Sequence, residues 1–323
     1  MGMRLGIAGY GNLGRAIERL AMDIPDVEVR GVYTRRNKDD VRTGGTAVYS
    51  FDEMYYHTDE IDVLALCYGS STDLPQLAPE LAGLFNTVDA FDNHSLIEEY
   101  KRRVDIAART SGKVSIISLG WDPGFLSLMR LYLSAFLPNP SVNTFWGRGV
   151  SQGHSEALRR ISGVKDAIQY TVPKEDALTL ASLVSHPLSN VDRHRRVCYI
   201  VAEKGKEDTI LDEVIGMENY FAGYEVEVHF ISEDEMKKYH GTLSHRGRIY
   251  ALGMSGQYRE VKHSLYLDLD IGSNPDLTAS IMLAGARAAC NLSLENKNGA
   301  YTVLDVPPSY FAPLKSEKVN NYL

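Results

Sequence analysis

Cysteine is scarce in this chain: three residues of 323. Cys67, Cys198 and Cys290 are far apart and form no C-x-x-C pair. That excludes a disulfide framework and a cysteine-built metal site, so no metal is expected. An odd, sparse set of thiols fits a reducing, cytoplasmic setting. Positive charge is in deficit as well, with 34 Lys and Arg against 42 Asp and Glu, a net charge of −8. A general nucleic-acid binder usually presents a basic surface, so no nucleic-acid partner is expected. No apolar run reads as long enough to cross a bilayer. The opening Met1-Gly2-Met3-Arg4-Leu5 lacks the layout of a signal peptide, and no membrane partner is expected. Internal repeats, low-complexity tracts and heptad seams are absent too. What is left is ordinary globular material, 44% hydrophobic and 24% charged, and long enough for two domains.

Glycine, by contrast, is placed with purpose. Gly9-Tyr10-Gly11-Asn12-Leu13-Gly14 follows the apolar run of Leu5, Ile7 and Ala8 and opens an amphipathic stretch over residues 13–21. A G-x-G-x-x-G alone is a weak signal; in a strand–turn–helix context it reads as a dinucleotide site. Gly9 permits the turn, Gly11 lets the backbone approach a pyrophosphate, and Gly14 lets the helix pack on the strand. An NAD-selective site carries an acid near the end of its second strand. Here the strand over residues 27–34 ends in Thr34-Arg35-Arg36. Two guanidinium groups suit a 2′-phosphate, so the expected cofactor is NADP(H) rather than NAD. The competing reading is an ordinary turn followed by a solvated arginine pair.

Further along, strand and helix alternate. Strands are expected over residues 4–9, 28–33, 62–67, 87–91 and 113–118, with helices over 75–84 and 96–110 among the stretches between them. This is the rhythm of a doubly wound parallel sheet, a Rossmann-type α/β fold. Near residue 120 the rhythm changes. Strands over 169–172, 196–202, 224–231, 250–253 and 261–271 predict a second, α+β domain with a mixed, mainly antiparallel sheet. Asn274-Pro275 reads as the start of a helix over 275–292. The expected organisation is a dinucleotide-binding domain over 1–120, a substrate-binding and dimerisation domain over 121–273, and a helix and tail over 274–323 that return to the first domain.

Ligands bind at strand-end loops in such sheets, and three of these loops are polar. Cys67-Tyr68-Gly69-Ser70-Ser71-Thr72-Asp73 could bond a cofactor's phosphate or ribose, or Thr72 or Asp73 could cap the next helix. Cys67 itself reads as a core thiol rather than a nucleophile. Phe91-Asp92-Asn93-His94 and Gly120-Trp121-Asp122-Pro123-Gly124 each set a carboxylate just past a strand, which suits a substrate ammonium; each Asp could equally cap a helix. In the second half, residues 145–160 gather glycines, Trp146, Gln152, His154 and Glu156 in one stretch. The bland reading of that stretch is an irregular loop before a helix capped by Ser155. Thr171, Arg196 and His245 are more distant candidates.

These segments together resemble the meso-diaminopimelate dehydrogenase family over nearly the whole chain. The resemblance rests on residues 8–15, Thr34-Arg35-Arg36, the Asp92 and Asp122 loops and Thr144-Phe145-Trp146-Gly147. It extends through Ser151-Gln152-Gly153-His154-Ser155, Ala157-Leu158-Arg159-Arg160, Gln169-Tyr170-Thr171, residues 223–228, Asn274-Pro275-Asp276 and residues 301–304. It implies NADP-dependent, reversible oxidative deamination of the D-centre of meso-2,6-diaminopimelate, releasing ammonia, by a cytoplasmic homodimer. The product, L-2-amino-6-oxopimelate, would cyclise to tetrahydrodipicolinate, on the lysine and cell-wall branch. Matched residue by residue, it places Asp92, Asp122 and Trp146 at the reacting end, with Trp121 in the pocket wall, and Gln152 and the Gly153 backbone orienting the substrate. Thr171, Arg196 and His245 would hold the distant carboxylate, with Asn274 near. Residues 9–14, 34–36 and 67–71 would hold the cofactor. Glu156 stands where the family pattern has Asp, and either Arg195 or Arg196 could point inward. The alternatives are an NADP-dependent dehydrogenase of other D-amino acids, another NADP enzyme on this scaffold, and a non-catalytic NADP-binding sensor. The sugar oxidoreductases of this scaffold carry Glu-Lys-Pro where this chain has Asp92-Asn93-His94, which disfavours them.

Overall fold

A computed structural model describes residues 2–313 except 148, 184, 185, 219 and 241–244. The chain divides into two compact units. One runs to Met129 and resumes at Pro275; the other is Arg130–Asn274.

The first unit is built on a parallel sheet. Its strands are β1 (Met3–Ala8), β2 (Val27–Thr34), β3 (Val48–Ser50), β4 (Val63–Leu66), β5 (Thr87–Asp89), β6 (Val114–Ile116) and the short strand Gly299–Tyr301, in the spatial order Gly299–Tyr301, β6, β5, β4, β1, β2, β3. Every pairing is parallel. Successive side chains of a strand face opposite sides, and both sides are covered. Val63 and Ala65 join a core with helix α1 (Asn12–Met22) and the long helix Asn274–Leu294. Leu64 and Leu66 join a second core with α2 (Asp73–Ala82) and α3 (Ile97–Thr110). Two-sided burial is why these strands read as continuous apolar runs rather than alternating ones. Fully burying side chains such as Leu5, Leu64 and Leu66 contributes about 1.5–3 kcal/mol each.

One expectation needs correcting. Helix Asn274–Leu294 does have the length and apolarity of a membrane span, by those two measures alone. Met282, Leu283, Ala286, Ala289 and Leu292 are packed into the sheet's core, so its apolar character is that of a core helix.

In the second unit, residues 141–271 form two sheets. One is β7 (Ser141–Trp146), β12 (His245–Ser255) and β13 (Val261–Ile271), wholly antiparallel. The other joins β8 (Gly149–Val150), β9 (Val164–Pro173), β10 (His194–Ala202) and β11 (Glu225–Phe230), with only β10–β11 parallel. Helix α4 (Phe125–Phe136) leads into this unit, and α5 (Gln152–Arg159) packs on β9. The end of β7 and all of β8 fall in the stretch read from sequence as an irregular loop, and Ser151, not Ser155, holds the cap position of α5. Ser155 lies inside the helix. Its hydroxyl donates to the Ser151 carbonyl (2.7 Å) and accepts the Gln169 N–H (2.9 Å), fastening α5 to β9.

Candidate active site

In the first unit the strand order reverses between β1 and β4, and the loops that follow these two strands diverge there; such a switch point is where doubly wound sheets bind ligands. Gly9 has φ +94°, and a Cβ on it would lie 2.8 Å from the Cys67 carbonyl. A Cβ on Gly14 would lie 2.3 Å from the Gly9 carbonyl. Helix and loop can meet this closely only without side chains. Gly11, the cap residue of α1, faces open space and places no side chain over the helix N-terminus. Asn12 and Leu13 make the first turn, which holds no acid. An unobstructed helix N-terminus is a ready anion site, so the residues present fit a pyrophosphate.

The arginines close on this loop. The Arg36 guanidinium donates to the Tyr10 carbonyl (2.6 Å), and its backbone N–H donates to Thr34 Oγ1 (3.1 Å). Arg35 donates to Asp73 (3.0 Å) and lies over the Tyr68 ring at 5.1 Å. Asp73 is thus an arginine partner and not a capping residue, and Thr72, though at the cap position of α2, makes no side-chain cap. Tyr68 Oη is buried with no partner among the described residues. Cys67 packs against the core and burial pushes its thiol up, as expected of a core thiol. Gly69, Ser70 and Ser71 line the turn into α2. Ser70 Oγ accepts the Asp92 N–H (3.2 Å), joining this loop to the first carboxylate loop.

Asp92 is exposed and Asp122 half-buried. The Asp122 loop is pinched at its base. Gly124 has φ +127°, and a Cβ there would sit 1.9 Å from the Gly120 carbonyl. Phe125 and Leu126 N–H groups donate to the Gly120 and Trp121 carbonyls (3.0 and 2.9 Å). Two glycines meeting backbone to backbone hold Trp121 and Asp122 on a tight turn. Beneath both loops is a residue that sequence reasoning missed. Asp89 is buried, and its carboxylate accepts N–H groups of Phe91 (2.9 Å) and Ser118 (3.1 Å) and the Tyr100 hydroxyl (2.6 Å). Burial pushes its carboxyl up, against the three hydrogen bonds that favour the charged form. An acid inside the apolar run over 87–91 was the available signal.

In the second unit a different corner forms. Thr171 and Arg196 are directly paired across β9 and β10, and the Arg196 Nη1 donates to Thr171 Oγ1. Arg196 is 9% exposed, its Cζ is 4.2 Å from the centre of the Tyr224 ring, and its Nε has no partner among the described residues. No carboxylate among the described residues forms an ion pair with it. Burial pulls this guanidinium below its ordinary pKa, partly offset by Tyr224. Arg195 points the other way and pairs with Glu227 (3.1 Å) on the surface, which settles which arginine faces inward. His245 is buried beside this corner. Its Nε2–H donates to the Val150 carbonyl (2.7 Å) on β8, and β8 pairs with β9 at Thr171. A Cβ on Gly149 would lie 3.0 Å from the His245 ring, and one on Gly147 would lie 2.3 Å from the Thr171 carbonyl. Trp146 therefore ends β7 next to the same corner.

Trp146 is set by His194, also missed from sequence. The backbone N–H of Trp146 donates to His194 Nε2 (2.9 Å), the two rings stack at 5.1 Å, and Arg193 lies 5.6 Å from the indole centre. Gly153 is exposed in the first turn of α5 with open space beside it. The side chain of Gln152 lies outside the described residues. Glu156 is on the exposed face of α5, within 3.9 Å of Arg159 and 3.5 Å of Arg160. That is a surface ion-pair role rather than a ligand's. Asn274 opens the long helix at the end of this unit. Among the described residues no group of three or more His, Cys, Asp or Glu is placed to hold a metal.

His194 and His154 are held neutral by burial. Burial lowers His194 from 6.5 to about 3 and His154, with Arg196 also repelling its proton, to about 4. The unfolded chain takes up these protons near pH 6.5 and the folded chain does not. Stability held above pH 6.5 is therefore lost progressively as the pH falls toward these lowered values. The unfolding midpoint measured by calorimetry should drop between pH 7 and pH 5, and His194→Gln should flatten that drop. An unaltered slope in the variant would take His194 out of the effect.

Known proteins resemble this chain in both sequence and fold. Residues 120–273 match the family described as the diaminopimelic acid dehydrogenase C-terminal domain. The chain is similar to the meso-diaminopimelate D-dehydrogenase of Acetivibrio thermocellus, at 45% identity over 99% of this chain and 97% of that protein. It resembles the solved Corynebacterium glutamicum diaminopimelate dehydrogenase in complex with diaminopimelate, with a TM-score of 0.92 and 40% identity, over 99% of this chain and 98% of the other. It also resembles an engineered D-amino acid dehydrogenase bound to NADP+, with a TM-score of 0.88 and 38% identity, over 99% of each chain.

Proposed function

Because the chain belongs to the meso-diaminopimelate D-dehydrogenase family, we propose that it oxidatively deaminates the D-centre of meso-2,6-diaminopimelate with NADP+ to L-2-amino-6-oxopimelate and ammonia. The observation that carries this reading is the buried Arg196 guanidinium with its unpaired Nε and Thr171 at its side. A buried cation without a protein carboxylate is costly unless a ligand supplies one. The substrate's distant carboxylate does so, held by Thr171, Arg196 and His245, with Asn274, Gln152 and the Gly153 backbone as further contacts.

Asp92 and Asp122 take the ammonium of the reacting centre, and Trp121 and Trp146 wall it. The N-terminus of α1 and the Arg35-Arg36 pair would hold NADP+, which would supply the acceptor for the hydride of the D-centre Cα. For that transfer the amine must be neutral, so Asp122 or Asp92, directly or through a water, takes the ammonium proton. The resulting imine is hydrolysed by water, and the same carboxylates return a proton to the departing ammonia. Binding the far end at Arg196 orients the near end for reaction.

Nicotinamide reduction by purified protein with meso-diaminopimelate and NADP+, with the L,L-isomer and NAD+ as controls, tests this reading. Turnover confined to the meso isomer and favouring NADP+ is expected. Reduction with simple D-amino acids but not with the meso substrate would overturn it. The Arg35-Arg36 pair supports the preference for NADP+. Arg36→Ala should raise KM for NADP+ about tenfold, the loss of one charged hydrogen bond, and leave KM for NAD+ within about twofold. Equal changes for both cofactors would detach Arg36 from the 2′-phosphate. The three unpaired thiols support a cytoplasmic setting. The exposed Val261, Leu265 and Tyr266 on β13 support a homodimer, which solution scattering would detect.

A further inference from the structure

The ladder between β5 and β6 runs through Thr87 with Ser115 and Val88 with Ile116, and stops there. Beyond it the two chains depart as loops, one reaching Asp92 and the other Asp122. Parallel strands keep their spacing only while a ladder holds them. Past its end the Asp89 carboxylate takes over. One oxygen, Oδ1, accepts N–H groups from both departing loops, Phe91 at 2.9 Å and Ser118 at 3.1 Å. The other, Oδ2, is held by the Tyr100 hydroxyl at 2.6 Å, from helix α3. The Asp89 carbonyl accepts the Leu119 N–H at 2.8 Å. Ser118 is bent to φ +59°, a conformation that aims its N–H at this oxygen and turns the chain toward the Gly120–Gly124 pinch. The Phe91 and Tyr100 rings stack at 4.0 Å beneath the anchor. A single oxygen can accept two donors, so the two loops are tied at one atom.

We infer that Asp89 is a positioning residue for the reaction: its carboxylate serves as an extra rung between the Asp92 and Asp122 loops and sets the spacing of the two carboxylates that flank the reacting amine. This rests on the proposed role of Asp92 and Asp122. It also explains why an acid stands in a strand buried at every position, where a carboxylate is unfavourable unless its hydrogen bonds are complete. Asp89 touches neither substrate nor cofactor in this scheme; it acts through the loops.

A mutant cycle tests it in the full-length protein. Asp89→Ala should lower kcat about thirtyfold, since small misplacements of reacting groups cost up to about a hundredfold, and should leave NADPH affinity within about twofold. Asp89→Asn keeps an oxygen for the two N–H donors and should restore kcat to within about fivefold. The deciding readout is the Asp122→Asn background. There the spacing no longer serves proton transfer, so Asp89→Ala should add less than about a threefold further loss. Losses that multiply in full in both backgrounds, or a wild-type kcat in Asp89→Ala, would overturn the inference. If Asp89→Ala does not fold, Tyr100→Phe enters the same cycle. An expected loss of about threefold should disappear in the Asp122→Asn background; an equal loss in both, or none in either, would count against the rung. Wild-type turnover in both Asp92→Asn and Asp122→Asn would instead sink the reading on which it rests.

Discussion

Replacing Asp122 by Asn is expected to lower kcat with meso-diaminopimelate by about a hundredfold or more, the range in which a positioned acid–base group contributes. The substitution is isosteric, and the base of the turn that carries Asp122 is closed by the backbones of Gly120 and Gly124. The fold should therefore survive, and NADPH affinity should stay within about twofold, because the helix N-terminus and arginines that fit the cofactor involve other residues. What is lost is a group able to take the ammonium proton. A single-turnover measurement separates this from product release: the loss should appear in the first reduction of the nicotinamide. Raising the pH should recover part of it, since free amine then becomes available without a base. A wild-type first turnover would remove Asp122 from proton transfer.

At Arg196 the effect should be as large but should fall on the other constant. Arg196→Met keeps the length of the side chain and removes the charge. With meso-diaminopimelate, kcat/KM is expected to fall about a thousandfold, mostly through KM, because a buried, bidentate-capable guanidinium is replaced and only neutral partners, Thr171 among them, are left for the substrate carboxylate. Toward a D-amino acid with an apolar side chain the same variant should lose little or gain, since such a substrate leaves the wild-type corner's buried polar groups unpaired. The ratio of the two kcat/KM values is the measurement. A ratio unchanged from wild type would show that Arg196 does not read the distant carboxylate. Folding is not at risk in the same way as in a broken ion pair, because no protein carboxylate among the described residues is left behind.

The parallel sheet was legible because its strands are buried on both faces and follow one another with helices between, and because the glycine motif fixes where β1 ends. The three-residue strands Val48–Ser50 and Gly299–Tyr301 were not; unlike the equally short but fully buried β5 and β6, they are the partly exposed edges of the sheet and carry no apolar run to register. β8 and the end of β7 hid inside a glycine-rich stretch that composition marks as loop. The glycines there serve close approach, Gly147 to Thr171 and Gly149 to His245, rather than irregularity. Site residues carried by local motifs, such as Gly9, Gly14, Asp92 and Asp122, could be named in advance. Asp89, His194 and Tyr224 could not, because each acts through partners supplied by other strands and helices. Ser155 was misread for the opposite reason. Its local pattern suits a cap, but its hydroxyl is engaged by Gln169 of β9. Neither Ser nor any other small polar residue announces from sequence whether its partner is the next turn or a distant strand.

The chain has two tryptophans, one in each unit: Trp121 on the pinched turn of the first, Trp146 stacked on an imidazole in the second. No other indole dilutes the signal. Trp121→Phe and Trp146→Phe each leave one emitter, so ultraviolet-excited fluorescence becomes a two-channel optical gauge built into the protein. One channel follows what happens beside Asp122 and the other what happens beside His194, without any attached dye.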